Sequence, residues 1–233
     1  MAGHDPGDPA SASRSPPDYR TALQGSVKGL RVGLIRHFYE RDNVANATTQ
    51  QAIAEAATVI ENLGCTVREV TLSPLADWAA CGGVILNAEA YAIHEANLRT
   101  RFTDYGEIFR DRMVLAGLVT GADYVQALRL RRELVDELDG AMVDLDLVMT
   151  AATPSEAPRI DTGSKFATLD RPSLTMPFNV TGSPAMSVCC GFGDGGLPLS
   201  FQIAGKRFAD ATVLRLGHAY ERATPWRDHR PSF

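Results

Sequence analysis

Serine and lysine side chains are the first candidates for chemistry in this sequence, because an activated serine hydroxyl can attack a carbonyl carbon. No Gly-x-Ser-x-Gly elbow occurs, and none of Lys28, Lys165 and Lys206 follows a serine by three residues. Ser164 and Lys165 are neighbours, but adjacent side chains on an extended segment point to opposite faces, which disfavours a direct proton relay between them. The residues alone therefore predict no catalytic serine.

Two adjacent cysteines, Cys189 and Cys190, are the second candidates, since either thiol could act as a nucleophile beside His218. A structural pair in a buried strand is the favoured interpretation, because an un-ionised cysteine packs as a small hydrophobe. The four cysteines of the chain include no Cys-x-x-Cys pair. That pattern fits reduced thiols better than disulfides, and it predicts a cytoplasmic protein.

Metal and phosphate sites are disfavoured by the spacing of the residues that would form them. His94 and Glu95 begin a metalloprotease-like string, but Leu98 stands where the second histidine should be. The glycines between positions 191 and 196 lie between two apolar runs typical of strands, whereas a dinucleotide-binding loop opens a helix. We therefore expect a strand-connecting turn there, and neither a metal nor a cofactor in this chain.

The composition limits the class of protein. The chain has 233 residues, of which 45% are hydrophobic and 22% charged, and this suits one globular core. Its net charge of -5 provides no basic field for nucleic acid. No apolar run approaches the roughly 20 residues that cross a bilayer. Neither nucleic acid nor a membrane is expected as a partner.

The elements that must position any site begin with a βαβ unit. Residues 30–35 form a short apolar run that suits a buried strand, and residues 67–72 suit a second one. Between them, apolar residues recur at helical spacing from a capping box at Thr48 and Gln51 to a stop at Gly64. Strand, amphipathic helix and strand in this order predict a parallel or mixed sheet.

Helices are predicted for residues 75–145, which carry several apolar stripes. The clearest stripe follows a predicted cap at Asp123 and Gln126, and the charges around it mix both signs, as is typical of a solvated face. Its apolar members are Tyr124, Ala127, Leu128, Leu134, Val135, Leu138 and Met142.

The rest of the chain predicts strands and a domain boundary. Residues 145–149, 185–190 and 199–204 are typical of strands, and residues 210–222 of a last helix. The prolines among residues 1–25 predict an extended arm rich in proline and aspartate, because proline continues neither a helix nor a central strand. Residues 26–233 then form a single α/β domain.

Four blocks of the sequence carry a resemblance to a known family. Residues 146–154 are Asp-Leu-Val-Met-Thr-Ala-Ala-Thr-Pro, and residues 174–188 contain Leu-Thr-Met-Pro-Phe-Asn-Val-Thr-Gly-Ser-Pro-Ala. Residues 196–208 contain Gly-Leu-Pro-Leu-Ser-Phe-Gln, and residues 220–226 end in Thr-Pro-Trp. In this order the blocks resemble the C-terminal part of the amidase signature family of serine amide hydrolases. The resemblance implies an α/β fold with a mixed sheet flanked by helices.

The resemblance also implies where the chemistry lies. The family uses a lysine, a cis-peptide serine and a nucleophilic serine, the last two in a Gly/Ser-rich signature that precedes the Asp-Pro arm. This sequence contains no Gly-Gly-Ser-Ser-Gly-Gly run, and Lys28 and Lys165 stand in a different context. We therefore expect a C-terminal amidase segment without the triad, inactive alone. Its expected partners are a small-molecule amide in the complete enzyme, and an N-terminal amidase segment or a second copy. The alternative is a non-catalytic subunit or interaction module that docks on a separately encoded amidase half.

The resemblance implies five substrate-binding residues and no catalytic ones. Arg112 is similar to an arginine near the substrate in tRNA-dependent amidotransferases, with a surface ion pair as its alternative. The other four, at strand and helix ends that would face the cleft, are Thr153, Thr175, Phe178 and Asn179. Glutamine-using members carry an acidic residue where this chain has Pro172, which argues against glutamine as the amide donor.

Overall fold

The computed structural model describes residues 3–162, 166 and 170–230. Its strands are β1 (Arg31–Leu34), β2 (Thr66–Glu69), β3 (Leu147–Ala151), β4 (Ala185–Phe192) and β5 (Pro198–Gly205). They form one sheet in the order β2-β1-β3-β5-β4. β1 is parallel to β2 and β3, whereas β5 is antiparallel to β3 and β4. The mixed sheet predicted from the sequence is confirmed.

Helices cover both faces of this sheet. They are α1 (Tyr19–Ala22), α2 (Ala47–Asn62), α3 (Leu75–Thr100), α4 (Glu107–Ala116), α5 (Gly121–Ala141), α6 (Met176–Thr181) and α7 (Asp210–Ala223). α2 and α7 pack on one face, against β3, β4 and β5. α3, α5 and α6 pack against one another on the other side, with α4 against α3. The predicted helical stretch between residues 75 and 145 is therefore confirmed.

The predicted βαβ unit is present, but its helix begins at a different cap. The Asn46 side chain accepts a hydrogen bond from the Thr49 backbone N–H at 2.8 Å and caps α2, so the predicted capping box at Thr48 and Gln51 is wrong. α2 ends where predicted, because Gly64 has a φ of +91° that suits glycine. Val32 pairs with Val67 across the parallel strands.

The predicted cap of α5 is also displaced. Thr120 and Asp123 form a reciprocal capping box, so the N-cap lies three residues before the predicted cap at Asp123 and Gln126. Of the predicted stripe, Ala127, Leu134, Leu138 and Met142 are buried, whereas Leu128 is exposed. The side chains of the first turns lie beyond the edge of the core, and the Tyr124 hydroxyl donates to Glu89 at 2.9 Å.

One part of the sheet is left open by the described residues. Along β4, Val188 and Cys190 are buried on the side of α7, where a Cβ on Gly217 would lie 3.6 Å from Val188 Cγ2. The alternate residues Ala185 and Ser187 face the other side and are exposed. β4 is also the edge strand next to β5. An uncovered face and an unpaired edge therefore meet at β4.

The first residues of the described chain lie along the surface near α7. The Arg14 guanidinium stands 4.5 Å from the centre of the Phe208 ring, an attractive cation–π geometry. Asp18 caps α1 by accepting hydrogen bonds from the backbone N–H groups of Arg20 and Thr21. The division of the chain into an arm of residues 1–25 and a domain of residues 26–233 stays a prediction.

The cap of α2 provides a stability test. Asn46→Ala removes the side-chain acceptor for the Thr49 N–H, and we expect it to lower the free energy of unfolding by about 1 kcal/mol. The matched control is Thr48→Ala, which removes the predicted but unused cap and should change the free energy by less than about 0.5 kcal/mol. Urea unfolding measures both. An equal loss in the two variants would contradict the assignment of the cap.

Candidate functional site

A cavity of about 320 Å³ lies at the open part of the sheet, between α6 and the strands β4 and β5. It brings together three of the predicted site residues, Thr175, Phe178 and Asn179. Its remaining lining comes from Ser183, Ala185, Met186, Ser187 and Gln202. The polar groups of this lining are hydroxyls and amides, so they can hydrogen-bond a neutral polar ligand and leave acid–base chemistry to other groups.

The short helix α6 places these residues. Pro177 lies in its first turn, and Gly182 follows it with a φ of +69°, a left-handed conformation that ends the helix. The Thr181 hydroxyl donates to the Pro177 carbonyl oxygen at 2.9 Å. Phe178 is 3% exposed, so its ring is anchored in the core and forms a wall of the cavity. Thr175 and Asn179 are exposed, which leaves their polar groups accessible.

Gln202 fixes α6 to the sheet. This β5 residue is 2% exposed, and its Nε2 donates to the carbonyl oxygens of Ala151 and Leu174, each at 2.8 Å. It thereby joins the end of β3 to the residue before Thr175. Sequence reasoning placed Gln202 in a family block but not in the site. The signal was one amide side chain in a mostly apolar strand, since a buried polar group needs partners.

The other two predicted residues lie elsewhere. Thr153 follows β3 and donates its hydroxyl proton to the Ser155 carbonyl oxygen at 2.8 Å. Arg112 lies half-buried on α4. Neither lines the cavity as formed by the described part of the chain. The role of all five residues in substrate binding stays a prediction.

The glycine-rich turn between β4 and β5 is occupied by a carboxylate of the chain itself. Glu156, from the segment after β3, accepts hydrogen bonds from the backbone N–H groups of Gly195 and Leu197 at 2.9 and 3.1 Å. A Cβ added at Gly193 or Gly195 would lie 2.7 Å from a Glu156 oxygen. The turn therefore connects strands, as predicted, and its glycines allow the close approach of Glu156.

The thiol candidates lie in β4. Burial raises the pKa of the Cys190 thiol to about 12, whereas a thiol nucleophile needs a lowered pKa. Cys189 is half-buried and alternates with Val188 and Cys190, so its side chain points away from α7, which carries His218. This geometry disfavours the thiol–histidine pair. Ser164 and Lys165, the other neighbours considered for proton transfer, lie outside the described residues.

The described part of the chain also bears on metal binding and on the membrane. It contains no group of three or more histidine, cysteine, aspartate or glutamate residues arranged to hold a metal ion. Within the same residues, every helix is too short or too polar to cross a membrane.

Comparison with known proteins identifies the family. The sequence model described as Amidase matches residues 1–214, so the chain belongs to the amidase family. A glutamyl-tRNA(Gln) amidotransferase subunit of Carboxydothermus hydrogenoformans is 33% identical over 261 residues, covering 99% of this chain and 52% of that protein. The chain thus spans about half the length of the curated relatives that it matches, and its motifs place it in their C-terminal segment.

Solved structures agree with this assignment. The corresponding glutamyl-tRNA(Gln) amidotransferase subunit from Thermotoga maritima matches with a TM-score of 0.77 and 28% identity, covering 96% of this chain and 49% of that one. An inhibitor-bound vestigial complex, described as revealing the origins of an s-triazine catabolic enzyme, matches with a TM-score of 0.80 and 30% identity. That match covers 95% of this chain and 49% of the other. The fold is that of half an amidase signature enzyme.

The buried amide of Gln202 provides the second stability test. Gln202→Met keeps an unbranched side chain but removes the donor to Ala151 and Leu174, leaving buried carbonyls without it. We expect a loss of about 1–3 kcal/mol in the free energy of unfolding, measured in urea. The control is Ser187→Ala, at the exposed β4 residue that pairs with Gln202 across the strands. It should change the free energy of unfolding by less than about 0.5 kcal/mol. A Gln202→Met variant as stable as the parent would show that the bridge is dispensable.

The raised pKa of Cys190 predicts its reactivity. In the native chain at mildly alkaline pH, which lies below a pKa of about 12, the thiol stays protonated and should resist iodoacetamide. The same cysteine should react fully in concentrated urea, where burial is lost. Peptide mass spectrometry of both samples measures this. Rapid modification of native Cys190 would mean that its thiol is activated.

Proposed function

We propose that this chain forms the scaffold and part of the substrate pocket of an enzyme that hydrolyses carboxylic amide C–N bonds. The observation that carries the proposal is the cavity beside α6, whose polar lining consists of neutral hydroxyls and amides and lies at the open part of the sheet. Such a lining suits an uncharged amide, which offers one carbonyl acceptor and N–H donors. Membership of the amidase family supports the same reaction class.

The catalytic groups are assigned to residues outside this chain. Amide hydrolysis through an acyl-enzyme needs an activated serine and donors that stabilise the oxyanion. Among the described residues, the cavity lining provides serine hydroxyls at Ser183 and Ser187 but no base beside them. We therefore assign the serine, cis-serine and lysine triad to the part of the relatives that this chain does not match. The chain alone is inactive in this proposal.

Within the complete enzyme the five predicted residues bind and orient the substrate. Thr175 and Asn179 present exposed polar groups to the cavity, and Phe178 supplies a fixed apolar wall. Thr153 and Arg112 join them once a substrate and the covering segment complete the cleft. The cytoplasm remains the proposed location, because all four cysteines are free thiols in the structure.

The uncovered sheet face favours a second candidate function. In the described part of the chain, β4 is an edge strand, and its free edge and the exposed residues Ala185 and Ser187 form a surface to which another chain could add a strand. In this alternative the chain is a non-catalytic subunit or interaction module that docks on a separately encoded amidase half or on a second copy. Both candidate functions use the same surface of β4. They differ in whether the complex with the docked partner hydrolyses an amide.

A fluorophosphonate probe that labels activated serines tests the proposal. We expect no adduct on the purified chain, and a stoichiometric adduct on an N-terminal amidase segment of a relative once the two are mixed. Intact mass identifies the labelled chain. The control is the segment without this chain, which should label slowly because its pocket is incomplete.

Three outcomes separate the candidates. An adduct on this chain alone would overturn the proposal, since the chain would then carry its own activated serine. Association without any labelling, measured by size-exclusion chromatography, would favour the non-catalytic module. A mixture that neither associates nor labels would contradict both functions.

A further inference from the structure

A second cleft adjoins the candidate site. It has a volume of about 310 Å³ and lies between α3, α5 and α6. Asn179 lines both this cleft and the cavity beside β4. Volumes of about 300 Å³ are at the lower limit of small-molecule pockets, so each space suits one part of a small ligand. The shared residue makes the two spaces adjacent compartments.

Four of the eight residues that line this α3/α6 cleft have large apolar side chains. Ile85 and Leu86 line it from α3, and Met176 and Val180 line it from α6. Leu86 is 60% exposed, so its side chain is accessible to a ligand in the cleft. Methionine adds an adaptable wall, because its unbranched side chain fills irregular spaces.

The two charged groups of the cleft already have partners in the protein. Glu89 Oε1 accepts a hydrogen bond from the Tyr124 hydroxyl at 2.9 Å. Arg131 Nε donates to the Val180 carbonyl oxygen at 2.7 Å. These contacts orient both charged groups within the protein, and the remaining large side chains of the lining are apolar.

The approach of α3 to α6 depends on Gly82. A Cβ on this residue would lie 2.8 Å from Met176 Cγ and 3.0 Å from Val180 Cγ2. Without a side chain at this position, Met176 packs directly on α3. This close packing fixes the end of the cleft at Gly82.

We propose that the α3/α6 cleft binds an apolar substituent of the amide substrate, while the polar cavity beside β4 binds the amide group itself. The substrate class is therefore a small amide with an aryl or bulky aliphatic group next to its C–N bond. This inference rests on the proposed function, because the cleft can be a substrate subsite only if the complete enzyme hydrolyses amides. Ligand binding tests it without turnover, so its failure is distinguishable from failure of the serine-labelling experiment.

The test compares four probes that differ in one feature. Acetamide has the amide alone, acetanilide has a phenyl group on nitrogen, and phenylacetamide has it on the acyl side. Phenylacetate replaces the amide of phenylacetamide by a carboxylate. Each is titrated into the full chain, alone and with the N-terminal segment, while NMR follows the ε-methyl signal of Met176. Met176→Leu assigns that signal.

We expect at least one aryl amide to bind about tenfold more tightly than acetamide, because even small apolar groups change affinity by this factor in a fitted pocket. The probe that shifts the Met176 signal, acetanilide or phenylacetamide, shows on which side of the C–N bond the apolar group binds. Leu86→Asn should remove most of this preference. The matched control Ile93→Asn changes another exposed residue of α3, 75% exposed, that does not line the cleft, and should retain the preference.

Three results would overturn the inference. They are equal binding of acetamide and both aryl amides, tighter binding of phenylacetate than of phenylacetamide, and no shift of the Met176 signal in either preparation. Tighter binding of phenylacetate would indicate that Arg131 binds anions. Loss of the preference in Ile93→Asn as well as Leu86→Asn would likewise contradict the assignment to this cleft.

Discussion

The buried amide of Gln202 is the interaction on which the candidate site depends. Its Nε2 joins the last residue of β3 to the residue before Thr175 through two hydrogen bonds of 2.8 Å. Apolar packing has little directional preference, whereas a donor shared between two buried carbonyls defines one position. The bridge therefore sets the place of α6, and with it the place of Phe178 and Asn179.

A helix of six residues needs this support from its neighbours, because so short a helix is unstable in isolation. Arg131 on α5 holds the last turn of α6 through the Val180 carbonyl. Gly82 lets α3 pack against Met176, the first residue of α6. α6 is thus held from the sheet, from α5 and from α3. Two cavities that share Asn179 result. The cavity beside β4 has a lining rich in polar residues, and the α3/α6 cleft has four large apolar residues in its lining.

The neutral lining and the open sheet face have a common explanation. As formed by the described residues, a pocket of hydroxyls and amides can bind and orient an amide but holds no base to activate a nucleophile. The chain spans about half the length of its curated relatives, and residues of β4 on one face of the sheet are exposed. Both features fit the proposed function, in which this segment binds the substrate and the other segment of the enzyme carries the reacting groups.

Sequence and structure contributed differently to the caps and elements. Strand and helix types were predictable because apolar periodicity is local, as in the βαβ unit and the last helix. The predicted caps at Thr48 and Asp123 were wrong, because several side chains able to cap a helix stand within a few residues of each other. The backbone path into each helix selects Asn46 and Thr120 instead. The uneven burial of the α5 stripe likewise depends on where the core ends.

By itself, the sequence determined the mixed α/β fold, the resemblance to half an amidase and three residues that converge at one cavity. Only the tertiary structure revealed the bridge by Gln202, because its partners Ala151 and Leu174 lie 51 and 28 residues away along the chain. It also separated Arg112 and Thr153 from that cavity. Contacts between distant segments depend on how the elements pack, and no local pattern in the sequence encodes that packing.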